Sequence, residues 1–275
     1  MVNYREPFAG SGAVFIELLN RIDHGLHTVS GSVYVNDINQ TLIDTYCHIR
    51  DNVNDLLGEL DKYTRLYMSG KDVPSRARQT YDLNVDVWTL VDRAHIYYKC
   101  RDIYNHTQSS VSKSALFMFL NKTCWRGLYR EGPNGFNVPY GNYKSIVFDT
   151  DNITRLSQAF KDVVFTCGHF TEAIGLAVAG DFLYIDPPYH SCKDAKLFNT
   201  YTSAGFTSTD EALLCDLCKG IRDKRADFVM SNSACTHVRQ AYDWCTILDV
   251  QSRRRINSKT PGDKDTEVMI WMDRG

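Results

Sequence analysis

The stretch Phe182-Leu183-Tyr184-Ile185, followed directly by Asp186-Pro187-Pro188-Tyr189, constrains this chain more than any other. The apolar run has the length and composition of a buried central strand. Two consecutive prolines then stop it and remove two backbone donors. The Asp186 and Pro188 carbonyls and the Asp186 carboxylate are left as acceptors with no regular ladder to join, and Tyr189 adds a flat aromatic face beside them. Such a corner suits a planar amine, whose N–H groups the acceptors hold while the ring stacks on its plane. The exocyclic amino group of a nucleobase fits that description. The same four residues also read as a plain strand-ending turn, because Asp-Pro and Pro-Pro are ordinary turn signals.

The N-terminal stretch narrows the choice. Tyr4-Arg5-Glu6-Pro7-Phe8 reads as a strand, and Val14, Leu18 and Phe15, Leu19 recur at helical spacing after it. The turn between them, Ala9-Gly10-Ser11-Gly12, lets a ligand approach backbone N–H groups near a helix N-terminus. It is not a P-loop, because no Gly-Lys-Ser/Thr follows. It is not GxGxxG either, since Phe15 stands where the third glycine belongs. A second strand, Ser32–Asp37, ends in Asp37, 25 residues after Gly12. An acid there is placed to bind two ribose hydroxyls; by itself it reads first as a helix N-cap or turn acid. Strands alternating with helices, with the later strands Val163–Cys167, Phe182–Ile185 and Asp227–Met230, predict an α/β parallel sheet. Cys245–Val250 and Glu267–Met272 are expected to pair as an antiparallel hairpin.

The segment from Asp61 to Ile146 breaks that rhythm. It is helical first and then, over Asn121–Gly141, a loop rich in Gly, Pro, Asn, Arg and Tyr. The expected organisation is thus one domain over 1–60 and 147–275 with a second inserted over 61–146. Net charge is −2, but the insert carries 13 Lys and Arg against 7 Asp and Glu, while the remainder carries 18 against 26. A basic segment in an acidic frame is compatible with a polyanion gripped by one part only. No run approaches the roughly 20 apolar residues of a membrane span, and the N-terminus lacks a signal-peptide core. Nine cysteines, an odd count, read as reduced intracellular thiols. Cys215 and Cys218, in an amphipathic helical stretch, read as buried thiols, since no second CxxC completes a zinc site.

The Gly turn after strand one, the acid after strand two and Asp-Pro-Pro-Tyr after a later strand occur in one order. Together with Asn121–Arg130, Phe136-Asn137-Val138-Pro139-Tyr140-Gly141, Gly168-His169-Phe170, Ser231-Asn232 and the basic loop before the last strand, they resemble the Dam-type family of S-adenosylmethionine-dependent DNA adenine-N6 methyltransferases. The resemblance implies a Rossmann-like methyltransferase sheet with an inserted, mainly helical DNA-recognition domain. Glu6, Pro7, Phe8, Gly10, Gly12 and Asp37 would bind S-adenosylmethionine, with Ile38 and Phe170 near its adenine and Asp186 beside it. Asp186, Pro187, Pro188 and Tyr189 would receive an adenine flipped from double-stranded DNA. Asp186 and the Pro187 carbonyl would accept the two N6 hydrogens, and Tyr189 would stack on the ring. No metal is implied.

In the insert, Trp125 matches an aromatic that family members push into the duplex; it reads also as a core aromatic. Leu128, Arg130 and Pro139 match positions that read base edges of GATC, and Asn137 lies in the same stretch. Arg126 stands where enterobacterial members have Asn, which suggests a phosphate contact. Arg253, Arg254, Arg255 and Lys259 would meet phosphates. Family members carry a Lys-Trp-x-Gly-Gly-Lys-type segment before the first strand, whereas this chain starts at that strand. A truncated product and a pocket closed by another element are both open readings. Two rivals stand beside adenine methylation: cytosine-N4 methylation, which more often shows Ser-Pro-Pro-Tyr, and DNA binding without catalysis. The implied setting is intracellular, in cytoplasm or nucleus or as a viral protein in a host cell, and a restriction endonuclease sharing the site would be a natural partner.

Overall fold

The computed structural model describes residues 1–72, 80–189, 206–253 and 264–272. The chain divides into two compact units, one formed by Met1–Ile43 with Asp162–Gly275 and the other by Asp44–Lys161.

The first unit is built on a seven-stranded sheet. Its strands are β1 (Tyr4–Glu6), β2 (Val33–Asp37), β5 (Val163–Cys167), β6 (Phe182–Ile185), β7 (Asp227–Ser233), β8 (Thr246–Arg253) and β9 (Lys264–Trp271), in the spatial order β5-β2-β1-β6-β7-β9-β8. The first five are mutually parallel, and β9 runs antiparallel to both β7 and β8. This is the expected Rossmann-like sheet, and the late strands pair as the expected hairpin. From β1 the chain winds outward through β2 to β5; from β6 it winds the other way through β7. The carboxyl ends of β1 and β6 therefore flank the point where strand order reverses, the place where open α/β sheets bind ligands.

Local sequence accounts for these elements. Leu183 and Ile185 of β6 are wholly buried, each worth roughly 1.5–3 kcal/mol of burial. Helix α1 (Ala13–Asp23) starts at Gly12, whose φ of 76° suits glycine, and it turns Phe15 onto Phe165. Helix α8 (Ser208–Asp223) opens with a reciprocal capping box between Thr207 and Asp210. It buries Leu214, Cys215, Cys218 and Ile221 along one stripe, as its amphipathic spacing predicts. Among the described residues seven cysteines are free thiols, Cys215 and Cys218 among them. Helices α7 (Phe170–Gly175) and α9 (Thr236–Ala241) are too short to show a periodicity in the sequence.

The second unit is mainly helical. It contains the C-terminal part of α2 (Gln40–Asp51), then α3 (Val53–Ser69), α4 (Arg93–His106), α5 (Val111–Thr123) and α6 (Thr150–Ala159). Leu56, Leu60, Tyr63 and Tyr67 line the buried side of α3, which packs on α4 and α5. Asp92 and Ser110 cap α4 and α5. The stretch read as a loop from Asn121 is more ordered than its composition suggests. Helix α5 runs to Thr123, a 3₁₀ turn follows over Trp125–Gly127, and β3 (Glu131–Gly132) pairs with β4 (Gly135–Phe136).

At the amino end of the β1–β6 pair, Arg5 Nε donates to Asp181 Oδ2 at 2.6 Å, with 7% of Arg5 and none of Asp181 exposed. Asn3 and the Val178 N–H also donate to Asp181, and the Arg5 guanidinium lies 4.2 Å from the Tyr34 ring centroid. Burial would raise the Asp181 carboxyl, but these donors outweigh it and hold the group below its ordinary value. The native state then binds fewer protons than the unfolded one at acid pH. Asp181→Ala, which strands a buried guanidinium, should cost about 3–5 kcal/mol in urea denaturation near neutral pH. The stabilisation by Asp181 should be full above the unfolded aspartate pKa and fade as pH falls through the lower native value, a trend the variant should lack.

Candidate active site and nucleic-acid interface

The carboxyl ends of β1, β2, β5 and β6 bring together most of the residues expected to hold the cofactor and the target base. Asn36, buried at the end of β2, is the strut between them. Its Nδ2 donates to the Pro7 carbonyl at 3.1 Å and to the Gly168 carbonyl at 3.0 Å, and its Oδ1 accepts from the Thr166 hydroxyl. Its own carbonyl accepts from Ala9 N–H. One side chain thus ties the turn after β1 to the turn after β5.

Beside it, Asp37 Oδ2 accepts from Gly10 N–H and Oδ1 from Asn39 N–H, each at 2.9 Å. Desolvation raises its carboxyl above the ordinary value, and these N–H donors oppose the rise. Gly10 is exposed at φ 47°, and no atom lies within 4 Å of where its Cβ would sit. The Gly10–Asp37 corner therefore combines open space, a close-approaching backbone and a carboxylate, which fits a ribose-bearing group. Ile38 is 55% exposed at its edge. Phe170 is buried; it stacks on Phe8 at 5.2 Å and packs against Phe206, forming a wall and not an open face.

Glu6 and Asp186 end adjacent strands and differ in their access to solvent. Glu6 is 3% exposed and accepts from the Tyr4 hydroxyl at 2.6 Å. Burial pushes its carboxyl up to about 8; Asp186 adds to the rise, and the Tyr4 hydroxyl and Phe15 N–H oppose it. Asp186 is exposed, with Pro187 buried behind it, and its Oδ1 accepts from the Ser231 hydroxyl at 2.6 Å. Desolvation by the surrounding protein raises it too; Ser231 and Tyr189 pull it down and Glu267 adds to the rise. Pro188 and Tyr189 are half-buried.

In the helical unit, alternation along the 136–139 strand-like stretch buries Phe136 and Val138 and turns Asn137 and Pro139 outward. Asn105 brackets Phe136 through both its backbone groups. Tyr97 and Arg101 donate to the Val138 carbonyl. Arg130 is exposed and held by Asn137, with Nε to Oδ1 at 2.6 Å and Nη2 to the backbone carbonyl at 3.2 Å. Trp125, which the sequence left open as a core aromatic, is 49% exposed. Its N–H donates to the Pro139 carbonyl at 2.8 Å. Arg126 follows at φ 57°, ψ 19°, an uncommon conformation for a residue with a Cβ, and its guanidinium lies 5.5 Å from the Trp125 ring centroid. Leu128 is half-buried and accepts from Cys124 Sγ through its carbonyl. A pocket lined by Lys122, Arg126, Tyr143 and Ser145 opens beside the turn. Arg253 ends β8; Arg254, Arg255 and Lys259 lie outside the described residues.

Asn36 and Glu267 were missed in the sequence. Two consecutive polar residues closing an apolar strand, Asn36 and Asp37, signal that one of them points inward. Glu267 has no such mark. Among the described residues, no group of three or more His, Cys, Asp or Glu is placed to hold a metal, and no helix is long and apolar enough to cross a membrane.

Residues 2–256 match the family model of the D12 class N6 adenine-specific DNA methyltransferases. The chain is 32% identical over 267 residues to the type II methyltransferase M.MjaIII of Methanocaldococcus jannaschii, covering 95% of this chain and 83% of the relative. It is 28% identical over 273 residues to the type II methyltransferase M1.LlaDCHI of Lactococcus lactis subsp. cremoris, covering 98% and 85%. With the DNA adenine methylase of Escherichia coli K12 it shares 26% over 266 residues, covering 96% and 84%. A doubly wound parallel sheet with an acid–Pro–Pro–Tyr corner at its switch point and matches of this extent define one class: the chain belongs to the D12 class N6 adenine-specific DNA methyltransferase family. It is an enzyme of adenine methylation in DNA.

Two predictions come from this geometry. Native Glu6 keeps a proton that the unfolded chain has lost, so stability should fall as pH rises from about 4.5 towards about 8. Glu6→Gln should flatten that slope in thermal denaturation across the window. Arg126→Gly should relieve the left-handed strain and raise stability by about 1 kcal/mol, measured in urea, while weakening binding to duplex DNA.

Proposed function

We propose that this enzyme transfers a methyl group from S-adenosylmethionine to N6 of an adenine flipped out of double-stranded DNA, within GATC or a related site. The observation that carries the reading is Asp186, fixed by Ser231 at the carboxyl end of β6, at the switch point and on the same edge of the sheet as the Gly10–Asp37 corner. When bound, S-adenosylmethionine supplies an electrophilic methyl on a sulfonium. The Glu6–Gly12 turn and Asp37 hold its adenosine half, the carboxylate taking ribose hydroxyls, and Ile38 closes the adenine from the exposed side.

The protein's remaining task is to make an aromatic amine nucleophilic. The N6 lone pair of adenine is delocalised into the ring. Asp186 and the Pro187 carbonyl accept the two N6 hydrogens and draw the nitrogen towards a pyramidal geometry in which the pair is localised. Tyr189 stacks on the base and Pro188 limits its sliding. A carboxyl raised by desolvation is a strong acceptor and a competent station for the proton that N6 releases after methylation. The gain comes from positioning and fixed dipoles, without reorganisation during the step.

Residues 61–146 act as the DNA-recognition domain and 1–60 with 147–275 as the catalytic one. Arg130, pre-set by Asn137, reads a guanine edge through its two donors; Leu128 and Pro139 add apolar base contacts. Trp125 enters the duplex near the target. Arg126, Arg253, Arg254, Arg255 and Lys259 meet phosphates. A restriction endonuclease reading the same site is the partner we expect of such an enzyme, which would work on DNA inside a cell.

Asp186→Ala should abolish methyl transfer with the fold intact, and Asp186→Asn should be severely impaired, since an amide is a weaker acceptor. Near-normal single-turnover rates in either variant would overturn the mechanism. Arg130→Ala should cost about 1–3 kcal/mol of discrimination at one base position; equal losses on GATC and scrambled duplexes would remove it from base reading.

A further inference from the structure

We propose that Glu267, on the antiparallel strand β9, is a positioning residue that holds the Tyr189 ring in place to receive the target base. The inference rests on the base-receiving role given to Asp186–Tyr189 above and extends it to a strand far away in sequence.

The argument begins with what the two prolines take away. After Ile185 the chain cannot continue a ladder, so the orientation of Tyr189 must be set by its side chain. Its hydroxyl lies 3.5 Å from Glu267 Oε2 and also bonds to Asp186. The register explains why an acid is available there. In a sheet, directly paired residues face the same side and residues two apart share a face. Tyr184 pairs with Val229, Ser231 with Met269 and Ser233 with Glu267. Tyr184, Asp186, Val229, Ser231, Ser233 and Glu267 therefore share one face of the sheet. Ser231 holds Asp186 from β7, and Glu267 holds Tyr189 from β9. A parallel strand entering at this position would need a crossover, whereas the antiparallel β9 arrives directly from the β8 hairpin. The reversed strand thus puts a carboxylate beside the corner that the prolines leave without donors.

Glu267 has a second effect on the same corner. Its charge raises the carboxyl of Asp186 and opposes ionisation of the Tyr184 and Tyr189 hydroxyls. Tyr189 stays a neutral donor, its hydroxyl set among Glu267, Asp186 and Ser231.

The test uses the whole chain and a duplex with 2-aminopurine at the target position, without cofactor. Its fluorescence reports stacking of the extruded base on an aromatic ring. Glu267→Ala should lower the stacked fraction, Tyr189→Phe, which also loses the bond to Asp186, should lower it at least as much, and the double variant should be no worse than Tyr189→Phe. Glu267→Gln, which keeps an acceptor oxygen, should restore most of it. With cofactor and natural duplex, single-turnover rates should fall about ten- to a hundredfold in Glu267→Ala with little change in duplex KM. Additive losses, or wild-type stacking in Glu267→Ala, would overturn the proposal while leaving the base-receiving role intact. If the unaltered chain methylates adenine yet gives no stacking signal, the role of Tyr189 fails, and this inference with it. The isosteric Glu267→Gln and Tyr189→Phe carry the comparison should Glu267→Ala not fold.

Discussion

The parallel pairing of β1 with β6 is the constraint on which the sheet-bearing unit depends. At one end the pair is locked by a buried ion pair, Arg5 with Asp181, supported by Asn3 and the Val178 N–H. Removing water from two charges is costly, and such a pair holds because three donors meet the Asp181 carboxylate. Its contribution is best seen as register. A slip of one residue would turn every side chain of β1 to the wrong face. It would also carry Glu6 away from Asp186. The opposite ends of the same strands are free of crossovers because the chain leaves them in opposite directions. The lock at the bottom and the opening at the top are two consequences of one pairing.

From that pairing comes a division of labour between two carboxyl groups. Glu6 and Asp186 are chemically similar and end neighbouring strands, yet one is sealed and the other is open. Sealed Glu6 is pushed up to about 8 and bonds to Tyr4 and to the start of α1. It secures the turn that carries Gly10. Asp186 keeps access to solvent and is held by one short bond from Ser231. The charge of Asp186 adds to the rise of Glu6, and a protonated Glu6 puts no second anion beside Asp186. Asn36 completes the frame by fastening three strand ends with one amide. An aspartate in its place would have no N–H for the Pro7 and Gly168 carbonyls, and a leucine would strand both.

Legibility in the sequence followed the range of the physics involved. Proline, glycine and strand-end acids act through local backbone geometry, so Asp186–Tyr189, Gly10, Gly12 and Asp37 could be read one stretch at a time. The sheet was legible because its apolar runs are short, separate and rich in β-formers. Asn36, Ser231 as a partner of Asp186, and Glu267 depend on which strand lies beside which, and no local pattern carries that. The Asn121–Gly141 stretch misled in a different way. Its Gly, Pro and Asn content is that of a loop, but Tyr97, Arg101 and Asn105 of α4 hold its backbone in a fixed path. Ordered irregular structure of this kind is supported from elsewhere in the chain and leaves little trace in its own sequence.

The conformation of Arg126 shows what that support is used for. A left-handed residue with a Cβ is strained, and the turn keeps it because neighbouring bonds leave no alternative. Trp125 N–H is tied to Pro139, Gly127 N–H to Cys124, Leu128 N–H to Trp125, and the Asn121 amide to the Gly127 carbonyl. Those bonds also hold Trp125 half-exposed before any ligand arrives. Exposing an indole to water costs free energy that a monomer gains nothing from. Arg130 shows the same logic in polar form, since its fork is already aligned by Asn137. A flexible arginine loses about 2 kcal/mol of rotamer freedom on being fixed, and here that loss is taken during folding. In the proposed role, a base edge would meet side chains already in position, and a wrong edge would meet a donor pair that cannot readily move to suit it.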